Sequence, residues 1–112
     1  MSEIYPCRVI ITSNQQLANY YNENPENALM ASRCITVEQA FSLLEEEREI
    51  EMIILVNGEG EEVISYLGER LGWSESYMPD IVRVEVPNDT AVAEISIRDA
   101  MYKSSLLFVW AG

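Results

Sequence analysis

The stretch Met52-Ile53-Ile54-Leu55-Val56 constrains this chain more than any other. Five apolar residues, three of them β-branched, run without a break and stop at Asn57-Gly58. So short a continuous apolar run, bounded by a turn signal, reads as a strand buried on both faces. A strand covered on both sides calls for helices above and below it, hence an α/β sheet. Ligands of such sheets bind just past the carboxyl ends of the strands. Asn57-Gly58 therefore marks the place where any chemistry would occur.

The flanking segments fill in the sheet. Arg8-Val9-Ile10-Ile11-Thr12 reads as the first strand, ending at the helix-capping residues Ser13 and Asn14. A short helix over 15–21 follows, then a loop over 22–27 that holds Pro25. Arg33-Cys34-Ile35 reads as a second strand, and Thr36-Val37-Glu38-Gln39 has the pattern of a capping box that opens a helix over 37–48. Beyond the central strand, Val63, Ile64, Leu67 and Leu71 share one helical face, Gly72 sits where a C′ glycine belongs, and Gly68 inside the helix points to close packing on the sheet. Residues 81–86 read as a fourth strand with one wetter face. For 91–103 the helix pattern of Val92, Ile95, Asp99 and Tyr102 competes with the alternation of 95–98. A helix is favoured there, because Leu106-Leu107-Phe108-Val109-Trp110 reads as a fifth strand and needs a crossover to join in parallel. The expectation is one domain over residues 1–112. It is a three-layer, flavodoxin-like α/β fold with five parallel strands in the order 2-1-3-4-5, about four helices and no helix after the last strand.

Composition narrows the function. Nineteen acids face seven bases, a net charge of -12, and Lys103 is the only lysine. Such a surface repels nucleic acid and anionic membranes, and suits a basic partner. The chain has no histidine, so the usual general base and transition-metal ligand are absent, and no metal or cofactor is expected. Cys7 and Cys34 are the only cysteines and read as core thiols on neighbouring strands. No apolar run is long enough to span a membrane, and Met1 to Pro6 lacks the features of a signal peptide, so a cytoplasmic location is expected.

The layout resembles a response-regulator receiver domain, and most nearly the cyclic-phosphate processing receiver-like family. The stretch Met52 to Leu71, a strand, Asn-Gly-Glu-Gly and a helix, is similar to that family's strand and acidic, Gly-containing motif. Val86-Pro87-Asn88-Asp89 is similar in place to the family's turn after the fourth strand. The resemblance implies a receiver that has lost phosphotransfer. Ser13 and Asn14 stand where receivers carry an acidic pair for Mg²⁺, Asn57 replaces the phosphoacceptor aspartate, and the lysine after the fifth strand is missing. An amide neither accepts a phosphoryl group nor anchors Mg²⁺ with charge.

Two groups of residues are candidates for function. Ser13, Asn14, Asn57, Gly58, Asn88 and Asp89, joined by Thr12 and Thr90, gather at the carboxyl end of the sheet, where neutral donors at helix N-termini bind anions. Each also has a local explanation as a cap or turn residue. The second group is Glu45, Glu46, Glu47, Tyr66, Trp73, Tyr77 and Trp110, an acidic and aromatic set suited to a protein interface. A solvated acidic face and aromatics that cover the sheet explain the same residues. Without a fifth helix, one sheet face beside Trp110 would lack cover, which homodimerisation or a partner would supply. The reading is a non-catalytic pseudo-receiver that binds a protein, such as a regulatory or phage-encoded inhibitor. The alternatives are a small nucleotide- or phosphate-binding domain with weak hydrolase activity that uses Asn14, Asn57 and Asp89, and an acidic mimic of nucleic acid.

Overall fold

The computed structural model describes residues 8–44, 50–73 and 78–111. The elements run β1 (Arg8–Thr12), α1 (Gln15–Glu23), α2 (Pro25–Leu29), β2 (Ser32–Thr36), α3 (Val37–Leu44), β3 (Met52–Val56), α4 (Glu61–Leu71), β4 (Asp80–Val84) and α5 (Thr90–Ala111). The strands form one parallel sheet in the order β2-β1-β3-β4. Helices lie on both faces, an α/β arrangement compatible with a flavodoxin-like fold.

β3 is buried along its whole length, as its unbroken apolar run requires. Strand alternation splits the core in two. Ile10, Ile54 and Val56 face α1 and α5, where Leu17, Tyr21, Ala93, Ile97 and Met101 meet them. Val9, Ile11, Ile53 and Leu55 face α3 and α4, against Ala40, Val63 and Leu67. Fully burying one such side chain stabilises by about 1.5–3 kcal/mol, so the central strands dominate the energetics. Cys34 is a buried free thiol on β2, whereas Cys7 lies outside the described residues.

Four expectations need correction. First, the fifth strand does not form: Leu106 to Trp110 belong to α5, so among the described residues the sheet has four strands, the order stops at β4, and a fifth helix follows the last strand. Second, the loop over 22–27 is mostly helical. Asn24 closes α1, its backbone N–H bonding the Tyr21 carbonyl, and its side chain then accepts the Glu26 N–H to open α2 with Pro25 in the first turn. Third, α5 buries a different face. Val92, Ile95 and Tyr102 are exposed, while Ala93, Ile97 and Met101 are buried. Glu94 is buried beside them, 7% exposed. Its carboxylate accepts from Asn24 Nδ2 at 3.3 Å and Asn27 Nδ2 at 3.2 Å and lies 3.9 Å from Arg98, which also holds Glu26 at 2.7 Å. Fourth, Gly68 lies near the Trp73 ring, 3.8 Å from where its Cβ would be, not against the sheet.

Other local signals hold. Thr36 and Gln39 make the reciprocal capping box, with Gln39 Oε1 3.1 Å from the Thr36 N–H and Thr36 Oγ1 3.4 Å from the Gln39 N–H. Gly72 ends α4 in the left-handed region at φ 68°, its N–H on the Gly68 carbonyl. β4 is half-exposed, as an edge strand is, and its Arg83 makes a forked pair with Glu61 of α4 at 2.7 and 2.9 Å. That pair holds the Glu61 carboxyl below its usual range and raises Arg83, chiefly through the hydrogen bonds between them.

Candidate functional site

In the order β2-β1-β3-β4 the connections reverse direction between β1 and β3, which is where an open α/β sheet opens a crevice at its carboxyl end. A small open cleft with a volume of about 30 Å³ lies there, room for more than one water. Thr12 and Asn14 line it from β1, Asn57 and Glu59 from β3, and Asn88 and Thr90 from the start of α5. Of the six residues expected at this end, Asn14, Asn57 and Asn88 share the cleft. Ser13, Gly58 and Asp89 do not line it.

The polar groups here are already committed. Asn14 Oδ1 caps α1, accepting from the N–H groups of Gln16 at 3.0 Å and Leu17 at 3.2 Å. Asp89 Oδ1 caps α5, accepting from Ala91 at 3.0 Å and Val92 at 3.2 Å. These bonds use the backbone donors that would otherwise bind an anion at either helix. Thr12, fully buried, accepts the Asn14 N–H at 3.0 Å and donates to Glu59 Oε1 at 3.5 Å.

Asn57 is bound more firmly than its turn position implies. Its backbone N–H donates to the Val84 carbonyl at 2.8 Å. Its side chain continues the ladder, with Oδ1 accepting the Val86 N–H at 2.8 Å and Nδ2 donating to the Val86 carbonyl at 3.2 Å. The amide acts as one more peptide unit joining β3 to the exit of β4. Its backbone is left-handed at φ 52°, a conformation asparagine tolerates better than most residues. Asn57→Ala is therefore expected to destabilise the fold by about 2 kcal/mol, from two lost bonds and a strained φ. Asn57→Gly, which removes the bonds but not the fit to φ, should cost about half of that. Urea unfolding of both variants measures this, and an unchanged midpoint for Asn57→Ala would show that the amide does not join the strands.

Glu59 is the residue the sequence did not single out for this place. Asn57, Gly58 and Gly60 all have positive φ, at 52°, 74° and 96°, and this reversal carries Glu59 back over Thr12. The run of Asn-Gly-Glu-Gly was the available signal. A carboxylate at the mouth opposes an anion electrostatically. Among the described residues no group of three or more His, Cys, Asp or Glu is placed to hold a metal ion.

The interface candidates separate. Tyr66 is 42% exposed, while Trp73 is half-buried against the α3 and α4 side of the core. Trp110 lies in the last turn of α5, not on a strand. Glu45, Glu46, Glu47 and Tyr77 lie outside the described residues. No helix among the described residues is long and apolar enough to cross a membrane. No protein-family model, curated protein or solved structure matches this chain.

Proposed function

We propose that this chain is a non-catalytic protein-binding module on a receiver-like α/β framework, acting through its acidic and aromatic surface. The observation that carries the reading is the state of the carboxyl-end cleft. Asn14, Asp89 and Asn57, the three residues a phosphate- or nucleotide-handling version would use, are spent on two helix caps and a strand junction. The carboxylate of Glu59 stands beside them and opposes an anion electrostatically. With no histidine in the chain, a general base would have to come from elsewhere. The net charge of -12 favours a partner with a basic surface. A buried free thiol at Cys34 suits a reducing compartment such as the cytoplasm.

Thermal unfolding in the presence of inorganic phosphate, nucleotides, cyclic nucleotides and Mg²⁺ tests this. A ligand present at about a hundred times its Kd would add about 2.7 kcal/mol and raise Tm by roughly 10 °C in a domain this size. The expected result is no shift from any of them and no turnover of a phosphoester. A shift of that size, or turnover that disappears in Asn57→Ala, would overturn the reading.

A further inference from the structure

Asn57-Gly58 carries a chemistry that the cleft does not use. An asparagine amide is open to attack by the backbone nitrogen of the residue that follows. That nitrogen bonds the side-chain Cγ, Nδ2 leaves as ammonia with the proton the backbone nitrogen gives up, and a five-membered succinimide closes. Water then opens the ring at one carbonyl or the other. The product is aspartate, or its isomer in which the chain runs on through the side-chain carbon. Nothing is oxidised or reduced: an amide and water give a carboxylate and ammonium. A side chain on the following residue crowds the attack, so glycine there is the most permissive. Of the seven asparagines in the chain, only Asn57 precedes glycine. Asn24 precedes Pro25, which has no N–H to give up. Asn19 and Asn22 lie inside α1, where the next N–H belongs to the helix ladder.

The structure frees one partner of this reaction and restrains the other. Asn57 and Gly58 are both exposed, so water and hydroxide reach them. The Gly58 N–H donates to no described residue, while the N–H groups of Asn57 and Glu59 on either side bond the Val84 and Val56 carbonyls. A Cβ on Gly58 would meet nothing within 4 Å, so the space around its nitrogen is open. The Asn57 amide is the restrained partner. Its Oδ1 accepts the Val86 N–H at 2.8 Å, and its Nδ2 donates to the Val86 carbonyl at 3.2 Å. Ring closure pulls Cγ onto the Gly58 nitrogen and so draws the amide off Val86, breaking both bonds. The reaction therefore waits on a local opening at the exit of the half-exposed edge strand β4.

We propose that Asn57 is a spontaneous deamidation site, that the junction of β3 with β4 governs its rate, and that the product loosens the same junction. Aspartate keeps an acceptor for the Val86 N–H. It has no N–H for the Val86 carbonyl, and sets a negative oxygen against it instead. The isomer adds a backbone atom ahead of Gly58 and shifts the turn that presses Gly60 onto Ile11. Either product adds one negative charge to a chain already at -12. This is covalent chemistry of the chain itself and holds with or without a binding partner.

Ageing the full chain in mildly alkaline buffer, folded or in urea above its unfolding transition, tests the proposal. After cleavage at arginine and lysine, the peptide from Glu49 to Arg70 holds no other side-chain amide, so its mass reports Asn57 alone. Conversion is expected in both samples, about tenfold slower in the folded chain, the factor that two hydrogen bonds supply. Gly58→Ala crowds the attacking nitrogen and should slow conversion in both. Val86→Pro, checked for folding by circular dichroism, removes the donor that holds Oδ1 and should speed the folded chain by about fivefold. Asn57→Asp supplies one product outright and should unfold at a lower urea concentration than the wild type. Equal rates in the folded and unfolded chain, conversion in the unfolded chain alone, or an undiminished rate in Gly58→Ala would overturn the proposal. So would a folded Val86→Pro that converts no faster, or an Asn57→Asp midpoint equal to that of the wild type.

Discussion

Gly60→Ala is expected to destabilise the protein by about 3 kcal/mol, a large part of the 5–15 kcal/mol typical of a domain this size. Two costs combine. Gly60 sits at φ 96°, where an L side chain is strained by about 1–2 kcal/mol. Its position leaves no room either. A Cβ would lie 2.8 Å from Ile11 Cγ2 and 3.1 Å from Leu55 Cδ2. Both neighbours are fully buried on the two central strands and have nowhere to retreat, so overpacking adds about 1–3 kcal/mol. The glycine exists because the turn after β3 must press against β1 before α4 begins. Gly58→Ala separates the two costs. Gly58 also has a positive φ, 74°, but its Cβ would meet nothing within 4 Å, so it should cost only about 1 kcal/mol. Urea unfolding with an unchanged m value for both variants checks the difference. Equal midpoints for the two would show that the approach of the turn to Ile11 is not tight.

That turn also shows what the sequence could and could not reveal. The run of β3 is rich in β-branched residues and stops at Asn57-Gly58, and those two signals tip so short an apolar run toward a buried strand with the cleft at its end. The capping box at Thr36 and the glycine stop at Gly72 are local, and both are legible. The fate of Leu106 to Trp110 is not. A short apolar run is ambiguous between buried strand and helix, and Lys103-Ser104-Ser105 contains no breaker, so α5 continues through it. On α5 the stripe of Val92, Ile95 and Tyr102 competes with the one that carries Ala93, Ile97 and Met101, and the second packs on the sheet. Glu94 beside it is received by Asn24 and Asn27, some seventy residues earlier, a partnership no local pattern encodes. Asn24 and Pro25 suit a loop, yet both are also signals for a helix start. At the candidate site, the location was legible but the commitments were not. That Asn57 pairs with Val86, 29 residues away, depends on β4 lying beside β3, and no local pattern encodes it.

The other large effect is alkaline. Raising the pH from 9 to 12 is expected to erode the stability of this protein through two buried acids on the α1 side of the sheet. Burial pushes the Cys34 thiol up from 9.0 to about 12. Tyr21 rises from 10.0 to about 12, again chiefly through burial, opposed by its hydrogen bond to Ser32 and the nearby Arg98, and reinforced by Cys34 and Glu94. Burial outweighs the hydrogen bond to Ser32, which on its own favours the phenolate. Ser32 Oγ donates to the Asn27 carbonyl at 2.8 Å, so in the 2.8 Å contact between them the Tyr21 hydroxyl is the donor. An ionised Tyr21 would hold that contact only as acceptor, with the Ser32 proton turned away from Asn27. In both groups the folded value lies above the unfolded one, so the unfolded chain releases its proton first. Their stabilisation is complete below pH 9 for Cys34 and below pH 10 for Tyr21, and is lost as the pH climbs toward 12. At about 1.4 kcal/mol per pH unit for each group, the losses reach about 4 kcal/mol for Cys34 and about 3 kcal/mol for Tyr21. Urea midpoints measured across this range should be level to pH 9 and then fall, more steeply above pH 10. Cys34→Ala should delay the onset of the fall to pH 10, and Tyr21→Phe should keep the onset at 9 but remove the steeper part. Both variants start from a lower midpoint, since each loses packing or a hydrogen bond, so the slope is the informative quantity. If the slope in the double variant equals that of the wild type, burial of these two groups does not govern the alkaline limit.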